Sequence, residues 1–247
     1  IGIIWFFFWN KNVTSYPRDH KKISSEELSY IEDNAPASEA ITQIPLSKLL
    51  SNLPFIAIIV ATFANNWSLL VFLSFLPKFV DNELGVDLSS GSFLVLIIIP
   101  SIVSVIALNL GGYIADTLIK KGYKVIKVRK SANSIGFFGS AACLFTIPFL
   151  NDVYTIIGLI CMTNIFTGAA AGGFGVNHAD LGPKSTGTLV GIASTLGTAA
   201  GVLGNIISGI VLDLTQSWTL VFFIAAGLLV FGGIFYLLFA SDKKQFD

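Results

Sequence analysis

The chain has 247 residues, 53% of them hydrophobic and only 12% charged, with a mean hydropathy of +0.76 and zero formal net charge. Soluble domains carry about 25% charged residues, so this composition, with 21 Phe and 23 Gly, excludes an ordinary water-soluble fold and points to lipid as the solvent. The balanced charge gives no sign of a nucleic-acid partner.

Ile1–Trp9 (IGIIWFFFW) is apolar but too short to cross a bilayer, which takes about 20 residues, and it reads as the end of a transmembrane helix. With Ile at position 1 and Met162 the only methionine, the chain is expected to be a fragment. Residues 10–52 form the only long polar stretch, read as a cytoplasmic linker. Within it, Ile23-Ser24-Ser25-Glu26-Glu27-Leu28 has the pattern of a capping box with a hydrophobic staple, which predicts a short amphipathic helix to about Asn34.

Six apolar segments follow, from about Leu53 to Val80, Leu88 to Ala115, Ser131 to Leu150, Val153 to Val176, Thr188 to Leu212, and Trp218 to Ala240. They are longer than barrel strands and do not alternate in polarity, so they are expected to be helices. The reading is an all-α membrane protein: a six-helix bundle over 53–240 and a cytoplasmic tail over 241–247.

Charge placement supports the segmentation. Lys11, Arg18, Lys21, Lys22 and Lys48 precede the first full span, a basic cluster from Lys120 to Lys130 joins the second and third, Lys184 joins the fourth and fifth, and Lys243 and Lys244 follow the sixth. Those connections share one side. Only Lys78 is left for the other, with Asp81, Glu83, Asp87, Asp152 and Asp213. The positive-inside rule places the basic side in the cytoplasm or its organellar equivalent.

The second span closes on Gly111-Gly112-Tyr113-Ile114-Ala115-Asp116, followed by the basic loop to Arg129-Lys130. Gly112 permits close helix approach, and Asp116, one turn on, can pair with a loop arginine such as Arg129 as a latch. The same residues also suit an ordinary acid at a solvated helix end. The fifth span carries Gly187, Gly191, Ser194, Thr198, Gly201, Asn205 and Ser208 at helical spacing. Such a stripe suits either a water-filled path or a tight seam, and the seam is the better default for the glycines. Asn205, and the adjacent Asn65 and Asn66 of the first span, are amides deep in lipid that need partners or water. The fourth span aligns Asn164, Thr167, Ala171 and Gly175 on one face. His178 and Asp180 at its end suit a structural cap, or a proton relay. Pro100 predicts a kink in the second span.

Several stretches together resemble the sodium-phosphate and organic-anion cotransporter family of the major facilitator superfamily, in its C-terminal half. This group includes sialin and the vesicular glutamate and plant plastid anion transporters. The residues are Gly112-x-x-x-Asp116, Val176-Asn177-His178-Ala179-Asp180-Leu181-Gly182-Pro183, Gly191 to Thr198, Ile234 to Ser241, Asn66-Trp67 with Leu76-Pro77, and Pro17 to Ile31. The family often has Asn at position 194 and Pro at 205, and vesicular glutamate transporters have an arginine at position 65, which argues against glutamate.

The resemblance implies that residues 1–9 end the sixth helix and that an N-terminal six-helix half of the same protein is the partner. It also implies alternating-access transport of small anions such as phosphate or organic carboxylates, coupled to Na⁺ or H⁺. No phosphate loop, metal cluster, catalytic triad or nucleotide fingerprint is present in the sequence, so neither an enzyme nor a cofactor is expected, and coupling to an ion gradient replaces ATP. The expected substrate pathway is Asn65, Asn66, Asn164, Ser194, Thr198 and Asn205, all uncharged. None of the six cores contains Lys or Arg, so charge on an anion has to be offset by the other half. Alternatives are a half-length or relic membrane protein without transport of its own, and an intramembrane enzyme using His178 and Asp180.

Overall fold

A computed structural model describes residues 2–20, 22–34, 44–85 and 91–246, with no account of the side chains of Leu84 and residues 91–97. Lys21, Asp87, Asp247, the expected start of the second span at Leu88, and residues 35–43 of the linker lie outside the described residues. The chain divides into two units, Ile1–Thr42 and Gln43–Asp247.

The first unit contains helix α1 (Gly2–Asn12), a 3₁₀ turn at Pro17–Asp19 and helix α2 (Ser25–Asn34). Ser24 Oγ accepts the Glu27 N–H at 3.1 Å, so α2 starts at the expected cap.

The second unit begins with a short helix α3 (Leu46–Leu50) and continues with α4 (Leu53–Leu84), α5 (Gly91–Lys120), α6 (Val125–Thr146), α7 (Val153–Ala170), α8 (Asn177–Leu181), α9 (Thr186–Thr215) and α10 (Trp218–Phe239). A π-helical turn, Ala171–Gly175, separates α7 from α8. Among the described residues, six helices are long and apolar enough to cross a membrane, with α7, the π-turn and α8 counted as one. No strand is present among the described residues. The all-α six-helix bundle is therefore as expected.

Helix ends follow local chemistry. Asn52 caps α4 by accepting the Phe55 N–H at 3.0 Å, and Gly85 ends it in the left-handed region at φ 62. α4 thus runs past Val80. α5 likewise runs past Ala115 to Lys120 and stops before Gly122, at φ 91. α6 starts at Val125, inside the basic loop, and not near Ser131; its cap comes from a distant residue described below.

In space the helices form an arc in the order α9, α4, α10, α6, α7, α5. The core along it is aromatic where side chains meet: Phe79 packs edge-on against Phe222 at 5.1 Å and against Trp218 at 5.4 Å. Elsewhere glycine brings backbones together. A Cβ on Gly172 would sit 2.7 Å from Gly111 O, and one on Gly136 would sit 2.6 Å from Phe166 O. The arc leaves its end helices uncovered on one side: Ile102, Val105, Ile106 and Ile114 of α5 are exposed, as are Val202, Leu203, Ile206 and Ile210 of α9.

Candidate solute pathway

Asn65 and Ser68 lie one turn apart on α4, and Thr163, Asn164 and Thr167 share a face of α7. These five polar residues line one small cavity of about 40 Å³, with Leu69, Phe72, Leu144, Ile160 and Leu229 as its apolar wall. A neighbouring cleft of about 250 Å³ shares Leu69, Phe72, Ile160 and Asn164 and adds Pro100, Ser101 and Ser104 of α5. Asn164 stands between the two hollows. Its Nδ2 donates to Pro100 O at 3.1 Å, tying α7 to α5 at the proline. No charged side chain lines either space.

The hydroxyls of α7 are held within the bundle. Thr163 Oγ1 donates to Leu159 O at 2.9 Å and Thr167 Oγ1 to Thr163 O at 2.9 Å, while Ser140 of α6 donates to Thr163 O at 3.2 Å. The Thr163 and Thr167 hydroxyls face the space mainly with their acceptor lone pairs. Asn65 donates only weakly, to Asn66 Oδ1 at 3.4 Å.

The six residues expected to form the pathway are divided among several places. Asn65 and Asn164 share the cavity. Asn66 sits in the α4–α9 seam, where a Cβ on Gly197 would lie 2.7 Å from its Nδ2. Ser194 and Thr198 are exposed on α9, with Thr198 Oγ1 donating to Ser194 O at 2.9 Å. Asn205 is half-buried, donates to Gly201 O at 3.0 Å, and keeps a buried Oδ1 without a partner. Gly197, Gly201 and Gly204 all press on α4, so the seam reading holds for them; Gly187 and Gly191 face open space. Ser68, Thr163, Ser101 and Ser104 were not expected, although Asn65 to Ser68 and Asn164 to Thr167 have the three-residue spacing of one helix face.

The end of the bundle that carries the basic loop has a second polar cluster. Arg129, 7% exposed, pairs through Nε with Asp180 Oδ2 at 2.9 Å and donates through Nη1 to Gly172 O in the π-turn at 3.0 Å. The arginine's ionic partner is thus Asp180, where the sequence paired it with Asp116. Asp116 is exposed on α5. The close approach on that helix is made by Gly111 against Gly168, while a Cβ on Gly112 would meet nothing within 4 Å. Asn177, fully buried, donates to Asp180 Oδ2 and to Ser241 O, each at 3.0 Å, and accepts from Tyr236 Oη at 3.0 Å. His178 is buried beside this network, and its ring nitrogens make no hydrogen bond of ordinary geometry. Among the described residues no cluster of His, Cys, Asp and Glu is placed to hold a metal ion.

An arc of six membrane-crossing helices, with an uncharged polar cavity on its inner helices, defines the C-terminal half of a major-facilitator transporter fold. Comparison with known proteins agrees. Relatives include the chloroplastic ascorbate transporter of Arabidopsis thaliana, 34% identical over 250 residues, which span 100% of this chain and 45% of that protein. The chloroplastic sodium-dependent phosphate transport protein 1 of the same plant is 32% identical over 252 residues, 100% of this chain and 48% of its own length. Human sialin is 32% identical over 253 residues, 99% of this chain and 50% of sialin. The chain spans about half the length of these relatives. The model of the Organic Anion Transporter Polypeptide (OATP) family matches residues 1–151, and the chain belongs to this family of anion transporters.

Proposed function

We propose that the chain supplies the second six-helix bundle of a secondary active transporter for small anions, inorganic phosphate or organic carboxylates, working by alternating access. A first bundle, N-terminal to this one, covers the exposed faces of α5 and α9 and encloses the solute between the halves. The basic end faces the cytoplasm or its organellar equivalent, a sidedness that the lysine distribution supports. The names of the relatives support anions as cargo; among them are ascorbate and phosphate.

The observation that carries this reading is the cavity shared by Asn65, Ser68, Thr163, Asn164 and Thr167. Its amides and hydroxyls replace part of a solute's hydration shell, but it has no cation. An anion at this depth needs an opposite charge or helix N-termini. The first bundle therefore holds the charge, and this one holds the neutral part of the solute. Coupling to Na⁺ or H⁺ supplies the energy.

Uptake by the full-length protein in proteoliposomes, with competing anions and imposed Na⁺ or pH gradients, tests the reading. Saturable uptake that depends on one of the gradients is expected. Folded protein that moves no phosphate or carboxylate under either gradient would refute it.

A further inference from the structure

The segment after α10 does not leave the bundle. From Ser241 to Phe246 it folds back across the basic end and is bonded to several helices at once. Asp242 Oδ2 accepts the Ile126 N–H at 3.1 Å, in the first turn of α6. Lys124, at the N-cap position of α6, contributes no side-chain bond there. The cap is thus a carboxylate 116 residues away in the chain, where both hydrogen bonding and the helix dipole favour it. Gln245 Oε1 accepts from Asn52 Nδ2 at 3.0 Å, and Asn52 is the N-cap of α4. The N–H groups of Gln245 and Phe246 both reach Leu181 O, the end of α8, at 2.7 and 3.3 Å. Phe246 is 6% exposed and meets Phe55 edge-on at 5.9 Å. Lys243 and Lys244, between these anchors, are exposed.

Asn177 carries the connection inward. One of its N–H groups holds Ser241 O and the other holds Asp180, which pairs with Arg129. Arg129 in turn holds Gly172 O in the π-turn that ends α7. An unbroken series of hydrogen bonds thus runs from the tail to the helix that bears Asn164. Its anchorage is one buried ring and a handful of hydrogen bonds, so it belongs to the part of a fold that opens locally before the core does.

We propose that Ser241–Phe246 is a clasp. Docked, it holds the starts of α4 and α6 and the end of α8 together and keeps Asp180 in place against Arg129. Released, it frees the basic end of α7 to move. The clasp is a property of this bundle; only its effect on turnover rests on the transport reading.

Hydrogen–deuterium exchange on the full-length protein in nanodiscs tests it, with Phe246→Ala, Asp242→Ala, Asp242→Asn and, as an exposed control, Lys243→Ala. Phe246→Ala is expected to raise exchange about tenfold at Ile126 and across Asn177–Leu181, none of whose N–H groups donates to Phe246. Asp242→Ala does the same, Asp242→Asn restores protection at Ile126 because it keeps an acceptor oxygen, and Lys243→Ala changes nothing. If Phe246→Ala yields no folded protein, Asp242→Ala decides by the same amides. Wild-type exchange at Ile126 and α8, with only the tail's own amides freed, would overturn the clasp. In proteoliposomes the released variants are expected to change the maximal uptake rate at least threefold and leave the half-saturating concentration within twofold. The opposite split would count against it. Absence of uptake by wild type and variants alike removes the transport reading, while the exchange result still decides the clasp.

Discussion

Replacing Asp180 by alanine should be among the most damaging single changes at the basic end. Arg129 is 7% exposed, and its salt bridge is to Asp180 at 2.9 Å. The variant leaves a buried guanidinium with Gly172 O as its remaining hydrogen-bond partner. Breaking a buried pair from one side costs about 3–5 kcal/mol, because the surviving charge stays out of water uncompensated. Asn177 also loses an acceptor, which adds about 1–3 kcal/mol if its N–H stays buried. Removing both charges together, Arg129→Met with Asp180→Leu, avoids the stranded charge and should recover at least about 2 kcal/mol of the loss. The assay is unfolding of the purified full-length protein by titration with denaturing detergent, followed by tryptophan fluorescence, on wild type, both single variants and the double. A loss below about 1 kcal/mol in Asp180→Ala, or a double variant no more stable than the worse single, would refute the reasoning.

Further outcomes follow from other parts of the bundle. Gly168→Ala, whose new methyl would strike the backbone of Ala107, should cost about 1–3 kcal/mol by forcing α5 from α7, while Gly158→Ala, with open space around it, should be neutral; thermal melts in detergent distinguish them. Asp152 caps α7, accepting from Thr155 Oγ1 at 2.6 Å and Thr155 N–H at 2.8 Å, and these bonds hold its carboxyl below the usual carboxylate range. A depressed folded-state value means the contribution is fully present above about pH 4 and is lost as pH falls below that through the folded value; the melting-temperature gap between wild type and Asp152→Ala should be flat at neutral pH and close on acidification. Asn164→Leu removes both the tie to Pro100 O and a polar wall group, so uptake should fall at least about tenfold, whereas Asn65→Ala should chiefly raise the half-saturating concentration, by about three- to tenfold. The 247-residue chain by itself should bind neither phosphate nor a carboxylate tightly, and a titration reaching micromolar affinity would contradict the uncharged cavity.

The crossings were legible because each is a long unbroken apolar run, and hydropathy integrates over many residues. The glycine seam of α9 was legible too, since small residues four apart mark one helix face. The start of α6 was not: Lys124 stands where a capping side chain would be, and the cap, Asp242, is remote in the chain. Nor was the partner of Arg129. The Gly112–Asp116 spacing directed attention to the nearest acid, whereas the fold brings Asp180 across from another helix. The π-turn at Ala171–Gly175 is written in glycine-rich sequence that reads equally well as ordinary helix. The pathway was half legible for a similar reason. Periodicity ranks faces within one helix, but which face turns inward depends on neighbours: Ser194 and Thr198 lie on an exposed face of α9, while Asn65 and Asn164 open onto one shared cavity.

The contact between α5 and α7 has a mechanical meaning. Where Gly111, Gly168 and Gly172 meet, main chain rests on main chain, with the methyls of Ala107 and Ala115 as the side chains at the contact. The α4–α10 boundary is the opposite, with Phe72, Phe79, Trp218 and Phe222 engaged like cogs. To shift α10 along α4, several rings must leave their rotamers, whereas a lengthwise shift of α5 on α7 turns no ring and has the Asn164–Pro100 hydrogen bond to break. The smoother of the two boundaries is thus the one beside the cleft at Pro100, where one hydrogen bond and not a set of rings fixes the register.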